Sequence, residues 1–268
     1  MDWIFLDKNH SDQYMQMLAR GCGAYTTNTR GWQYEHSQSP LVLRGIMKHK
    51  FIKQCWQDKR WFWYMDSGYM GNRVNSLNPG GWKRWHRIVP NNLQHGQIIP
   101  RPGDRFDRLQ IKITAKRRGR DILLLVPDEK PCVFYGLDRD VWLQDTIATI
   151  KRYTDRPIVL RERTASRTAR KVNDLAAPQN VHCVVTFNSV AATEAVLSGT
   201  AAYVLAPCNA AIPVANTDLS NIDEPWLPQP DQVRAWANHL AYGQFHITEL
   251  EDGTAYRILR ETKEMLDV

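Results

Sequence analysis

Residues 184–207 read VVTFNSVAATEAVLSGTAAYVLAP. An apolar run ends at Asn188-Ser189, an alanine-rich segment with one carboxylate (Glu194) follows, and Gly199 precedes a second apolar run. Short apolar runs without alternation are what strands covered on both faces write, and the piece between them, closed by a glycine, reads as a helix over 189–199. In such a strand–turn–helix unit the turn lies at the carboxyl end of the strand, where open α/β sheets bind ligands. Ser189 is a good N-cap, and the backbone N–H groups behind it, with the helix dipole, make a site for an anion. Taken alone, these residues fit equally an ordinary cap and an exposed helix glutamate.

The alternation continues on both sides. DILLLVP (121–127) reads as a buried strand, 138–153 as an amphipathic helix, RPIVLRER (156–163) as a strand running into a basic loop, and VHCVVTF (181–187) as a strand. After AAYVLAP (201–207) a Pro-rich loop leads to helices near 231–242 and 252–266. Strands separated by helices imply a doubly wound parallel sheet, hence an α/β protein. The first half is less regular: MDWIFL suggests a strand, 39–56 a helix, and RWFWYMD (60–66) a strand ending in a carboxylate, before a loop-rich, aromatic stretch. A boundary near 100–120 divides the chain into domains 1–110 and 111–268.

The 268 residues carry a formal charge of +7, unevenly spread. Residues 216–268 hold ten acids and four bases, leaving +13 on the first 215. Such a face is either solvated or meets phosphates, of a nucleotide or of a nucleic acid. No apolar run approaches the roughly 18 residues that span a membrane, and the N-terminus does not read as a secretory signal. Five scattered cysteines without ligand spacing read as reduced thiols in a cytoplasmic protein rather than as a zinc site.

NSVAATEAVLSGTAAYVLAP resembles the nucleotide-binding half of GT-B-type glycosyltransferases, above all the capsule-polysaccharide transferase group. More broadly, YMDSGYMGN, FYG, DRPIVLRER, VTFNS, NTDLS and LAYGQF stand in the order seen in short glycosyltransferase-like proteins of tailed phages. The resemblance covers most of residues 40–260 and implies a GT-B-like fold of two Rossmann-like halves, the first on the acceptor side. It implies that Asn188, Ser189 and Glu194 hold a nucleotide sugar, uridine-diphosphate-linked, as co-substrate, with no separate cofactor or metal. The capsule enzymes have a His-Pro pair where this chain has Arg161 and Arg163, whose guanidinium forks would instead hold the diphosphate. Tyr135, read as lying just beyond a strand end, would stack on the donor base.

Asp66, in WYMDSGYMG, occupies the place of an acidic-Gly-aromatic stretch in the acceptor half of those enzymes. Its expected role is the general base of an inverting transfer, with aromatic neighbours raising its pKa; the other reading is a carboxylate that caps its own turn. Asp138 and Asp140 imitate a D-x-D metal motif but start an apparent helix, where acids act as caps. In GGWKRWHRIVPNN, Lys83, Arg84, Trp85 and Arg87 alternate charge and aromatic surface as a nucleic-acid contact would. The phage resemblance then points to hydroxymethylated bases in DNA, such as 5-hydroxymethylcytosine, as acceptor, in a host cytoplasm. A capsule or cell-surface glycan is the alternative acceptor, and a non-catalytic nucleic-acid-binding protein on the same scaffold is a third reading.

Overall fold

The structure is a computed structural model and describes residues 3–30, 32–35, 37–46, 49–72, 84–116, 119–162 and 180–266. The elements run β1 (Ile4–Asp7), α1 (Gln13–Gly21), β2 (Thr26–Asn28), β3 (Leu41–Arg44), α2 (His49–Gln57), β4 (Phe62–Ser67), β5 (Trp85–Pro90) and α3 (Asp104–Arg108). They continue with β6 (Asp121–Leu125), α4 (Glu129–Tyr135), α5 (Arg139–Tyr153), β7 (Ile158–Arg161), β8 (Val181–Thr186), α6 (Ala191–Leu197) and β9 (Ala201–Val204), then α7 (Pro230–Tyr242), β10 (Gln244–His246), α8 (Ile247–Glu251) and α9 (Thr254–Leu266).

These elements form two compact units, one of residues 1–93 with 241–268 and the other of residues 94–240. The first contains a six-stranded sheet in the order β10-β5-β4-β3-β1-β2. Strands β2, β1, β3 and β4 are parallel, and β5 runs antiparallel to both of its neighbours. The second contains the parallel sheet β7-β6-β8-β9. Each unit thus holds parallel strands joined through helices, the α/β, Rossmann-like architecture that the sequence implies for its two halves.

The division differs from the expected 1–110 and 111–268. Residues 94–110 belong to the second unit, and the C-terminal 28 residues return to the first. The reason is packing: β10 pairs with the open edge of β5, and Phe245, Leu250 and Leu259 join Phe5, Trp63 and Ile88 in one core. Each fully buried apolar side chain contributes about 1.5–3 kcal/mol, enough in sum to hold a terminal segment. The expected helix over 39–56 is also corrected, since Leu41–Arg44 is a buried strand and the helix begins later.

In the second unit, strand alternation divides two layers. Ile122, Leu124, Cys183, Val185 and Tyr203 share a core with Ile150 of α5, while Leu123, Val184 and Ala202 belong to the other face. The right-handed crossover rule expects α5 and α6 on opposite faces of such a sheet, and Ile150 places α5 on the Ile122–Tyr203 face. Gly199 closes α6 at φ +74°, and a Cβ there would come within 2.1 Å of the Ala115 carbonyl oxygen, so only glycine fits. No helix among the described residues is long and apolar enough to cross a membrane.

Candidate functional site

The parallel strands of the second unit end together: Leu125 is paired with Arg161 and Thr186, and Thr186 with Val204. Asn188 and Ser189 sit just beyond Thr186, as expected. The anion cradle expected behind them is largely occupied by the chain itself. Ser189 N–H donates to Thr186 Oγ1 (3.2 Å), Ala191 N–H to Ser189 Oγ (3.2 Å) and Ala192 N–H to the Ser189 carbonyl (3.3 Å). The seven-residue α6 starts at Ala191 with Val190 at its N-cap, so the expected cap at Ser189 is corrected: its hydroxyl ties the turn one residue earlier, and the amino end is not a row of free donors.

What this edge does assemble is two opposite charges within electrostatic reach of each other, and an aromatic wall. Arg161, at the end of β7, lies within electrostatic reach of the half-buried Glu194 on α6. Burial lowers the pKa of its guanidinium and the Glu194 carboxylate opposes that shift, so two expected donor-site residues influence each other electrostatically. Tyr135 ends α4 instead of following a strand, because Gly136 in the left-handed region (φ +65°) terminates that helix. Its ring meets Phe187, the residue before Asn188, edge-on at 5.2 Å, and Trp142 meets Phe187 at 5.9 Å. A groove of about 310 Å³ lined by Leu137, Asp138, Trp142 and Leu205 adjoins this cluster. Arg163 lies outside the described residues.

Sequence reading missed the groups that hold this turn. Gln94, 4 % exposed, donates from Nε2 to the Asn188 carbonyl (2.8 Å) and accepts Ala210 N–H at Oε1 (3.0 Å). Asn209, fully buried, donates to the Ser189 carbonyl (3.3 Å) and accepts Ala211 N–H (2.9 Å). A partner 94 residues away leaves no local signal, although an asparagine amid apolar neighbours, as Asn209 is in PCNAAIP, is a hint.

In the first unit, Asp66 stands at the end of β4 opposite Arg87 of β5. Its Oδ1 accepts Ser67 N–H (2.7 Å), and its Oδ2 accepts the Tyr64 hydroxyl (2.8 Å) and Arg87 Nη2 (3.3 Å). Burial pushes the carboxyl pKa up, but the Arg87 guanidinium and the two hydrogen bonds outweigh it, and the pKa lies below the ordinary carboxylate value. The expected upward shift is thereby corrected: the aromatic neighbour supplies a hydrogen bond along with its apolar bulk. The turn beyond is fully tied. Arg87 Nη1 donates to the Ser67 carbonyl (2.6 Å), Gly68 N–H to the Trp85 carbonyl (2.8 Å), and Tyr69 and Met70 N–H to Gln244 Oε1 (2.8 and 3.0 Å).

Of the four residues expected to contact a nucleic acid, Trp85 and Arg87 turn inward instead. Arg87 is 7 % exposed and spends its donors on Asp66, Ser67 and the Leu93 carbonyl. Half-buried Trp85 packs edge-on to His246 (5.3 Å), and a Cβ at Gly71 would come within 2.8 Å of its indole. A β-strand points alternate side chains inward, and these two went in. Arg84 is exposed, and Lys83 lies outside the described residues. At the same sheet edge, unforeseen, Arg44 bonds Asp12 (2.7 Å) and reaches Asp66 electrostatically.

Asp138 is a cap, its Oδ1 accepting Asp140 and Val141 N–H (3.0 Å each). Among the described residues no three His, Cys, Asp or Glu side chains are grouped to hold a metal ion.

No protein-family model matches the chain, and no curated protein matches it. Among solved structures, the KpsC β-Kdo 2,4 transferase of Thermosulfurimonas dismutans is similar over 86 % of this chain and 87 % of its own, with 11 % identity and a TM-score of 0.49. A likeness that slight decides nothing about chemistry.

Proposed function

We propose that the protein is a nucleotide-sugar-dependent glycosyltransferase whose acceptor is a glycan hydroxyl. The observation that carries it is the placement of Arg161 at the carboxyl edge of the parallel sheet, within electrostatic reach of Glu194 and on the same edge as the Asn188-Ser189 turn and the Tyr135–Phe187 pair. A guanidinium suits a diphosphate, a carboxylate suits the vicinal hydroxyls of a ribose, and an aromatic ring suits a base. In the transfer, the acceptor oxygen bonds to the anomeric carbon as the bond from that carbon to the diphosphate breaks. The nucleoside diphosphate leaves with its charge on Arg161, and the acceptor proton goes to a base, for which Asp66 is our choice. Asp66 is ionised at neutral pH, its side chain is 38 % exposed, and three of its roughly four lone-pair sites are used.

A hydroxymethylated DNA base has less support as acceptor, because Trp85 and Arg87 are spent inside the first unit. The test is calorimetric titration of UDP and other nucleoside diphosphates, followed by transfer assays with glycan and DNA acceptors. Arg161→Ala and Glu194→Ala are each expected to lower diphosphate affinity about tenfold or more. Failure of every nucleoside diphosphate to bind the wild-type protein sinks the reading.

A further inference from the structure

Two buried amides, Gln94 and Asn209, join the Asn188-Ser189 turn to the loop that follows β9. Each faces the same way, with its NH₂ toward a carbonyl of the turn and its oxygen toward a loop N–H, at Ala210 or Ala211. Swapping oxygen and nitrogen in either amide would set oxygen against oxygen, so the backbone itself fixes the orientation. The loop is held in turn by the Trp236 indole, which donates to the Ala210 carbonyl (2.6 Å), and by the Cys208 thiol on the Gln94 carbonyl (3.5 Å). Gln94 is also the first residue of the second unit, so the chain enters that unit at this clamp.

The carbonyls held are consecutive, those of residues 188 and 189. Carbonyl oxygens carry partial negative charge, and near a diphosphate held by Arg161 they would repel it. Buried donors that engage both oxygens remove that repulsion and hold the turn's shape at no cost when ligand arrives. We propose that Gln94 and Asn209 are positioning residues of the nucleotide site, which make the turn compatible with an anion by engaging its two carbonyls. This inference rests on the nucleotide-sugar reading above and adds to it the residues that set selectivity for the charged diphosphate over the uncharged nucleoside.

The test uses the full chain with UDP and uridine as probes. Gln94→Glu keeps size and the acceptor toward Ala210, but at about pH 8 it sets a carboxylate against the Asn188 carbonyl. Relative to wild type at the same pH, UDP affinity is expected to fall about tenfold or more while uridine affinity stays within about twofold. Lowering the pH to about 5.5 protonates the acid, restores a donor and recovers UDP affinity; Gln94→Met loses affinity with no such recovery. A parallel fall for UDP and uridine means a merely structural role and overturns the inference, as does unchanged UDP affinity in both variants. If the wild-type protein binds no nucleoside diphosphate, the proposed function itself falls. Amide exchange over 187–192 then decides whether the clamp exists: faster exchange in Gln94→Met supports it, and unchanged exchange overturns it.

Discussion

Asp66 and Arg87 face each other across β4 and β5 with unequal surroundings: the arginine side chain is 8 % exposed and the aspartate side chain 38 %. Removing the buried partner strands the Ser67 and Leu93 carbonyls, whereas removing the charge of Asp66 leaves an amide whose one oxygen still accepts from Ser67 and whose NH₂ can donate to the Tyr64 hydroxyl oxygen. Arg87→Met is therefore expected to lower stability on the order of 1–3 kcal/mol in urea unfolding. Asp66→Asn should keep most of the stability and, in the proposed reaction, lower turnover about 10²–10⁴-fold. An Arg87→Met variant that unfolds like wild type would return Arg87 to the surface role the sequence suggested. At this scale the sequence was legible where chemistry is local. Asp138 at its cap was readable, whereas Ser189 stands one residue before the Val190 cap of its helix. The inward turn of Arg87 was not, because it depends on a partner strand 21 residues away.

The strands of the second unit were legible as elements because a parallel sheet covered on both faces must write apolar runs, and DILLL and VHCVVT do. In the first unit MDWIFL and RWFWYMD were legible as strands, and others were not. LVLR at 41–44 is too short to separate from the helix that follows, so an apolar run there fits either period. QFH at 244–246 is a strand only because the edge of β5 accepts it. Helix α5 offers a test of the local reading, since Asp138 is either its cap or half of a metal motif. Asp138→Ala should cost about 1 kcal/mol and Asp138→Asn almost nothing, asparagine being as good a cap. Manganese or magnesium should not shift the melting temperature of the wild-type protein. A cation-dependent shift that Asp138→Ala abolishes would restore the metal reading.

At the scale of the whole molecule, acid stability should trace to one buried ring. His239 on α7 is 2 % exposed, neither ring nitrogen has a hydrogen-bond partner among the described residues, and its ring lies edge-on to His95 at 5.1 Å. Burial, with the Arg101 charge adding to it, lowers its pKa from 6.5 to about 4. Between those values the unfolded chain binds the proton and the folded one does not, so stability is full above about pH 6.5 and is lost as pH falls toward 4. The loss amounts to on the order of 3 kcal/mol by pH 4. His182 and His246, whose values are also lowered chiefly by burial, add to the slope in the same direction. Asp66, lowered as well, contributes in a different window, below the ordinary carboxylate pKa, as pH falls through its folded value. The experiment is urea unfolding from pH 7.5 to 4.5 for wild type and His239→Leu. Leucine removes two unsatisfied nitrogens, so the variant should be no less stable at pH 7.5, and its stability should fall much less steeply below pH 6.5. Parallel curves for the two proteins would mean that His239 finds a proton-compatible partner in the folded state, and the acid sensitivity would then belong to the other histidines.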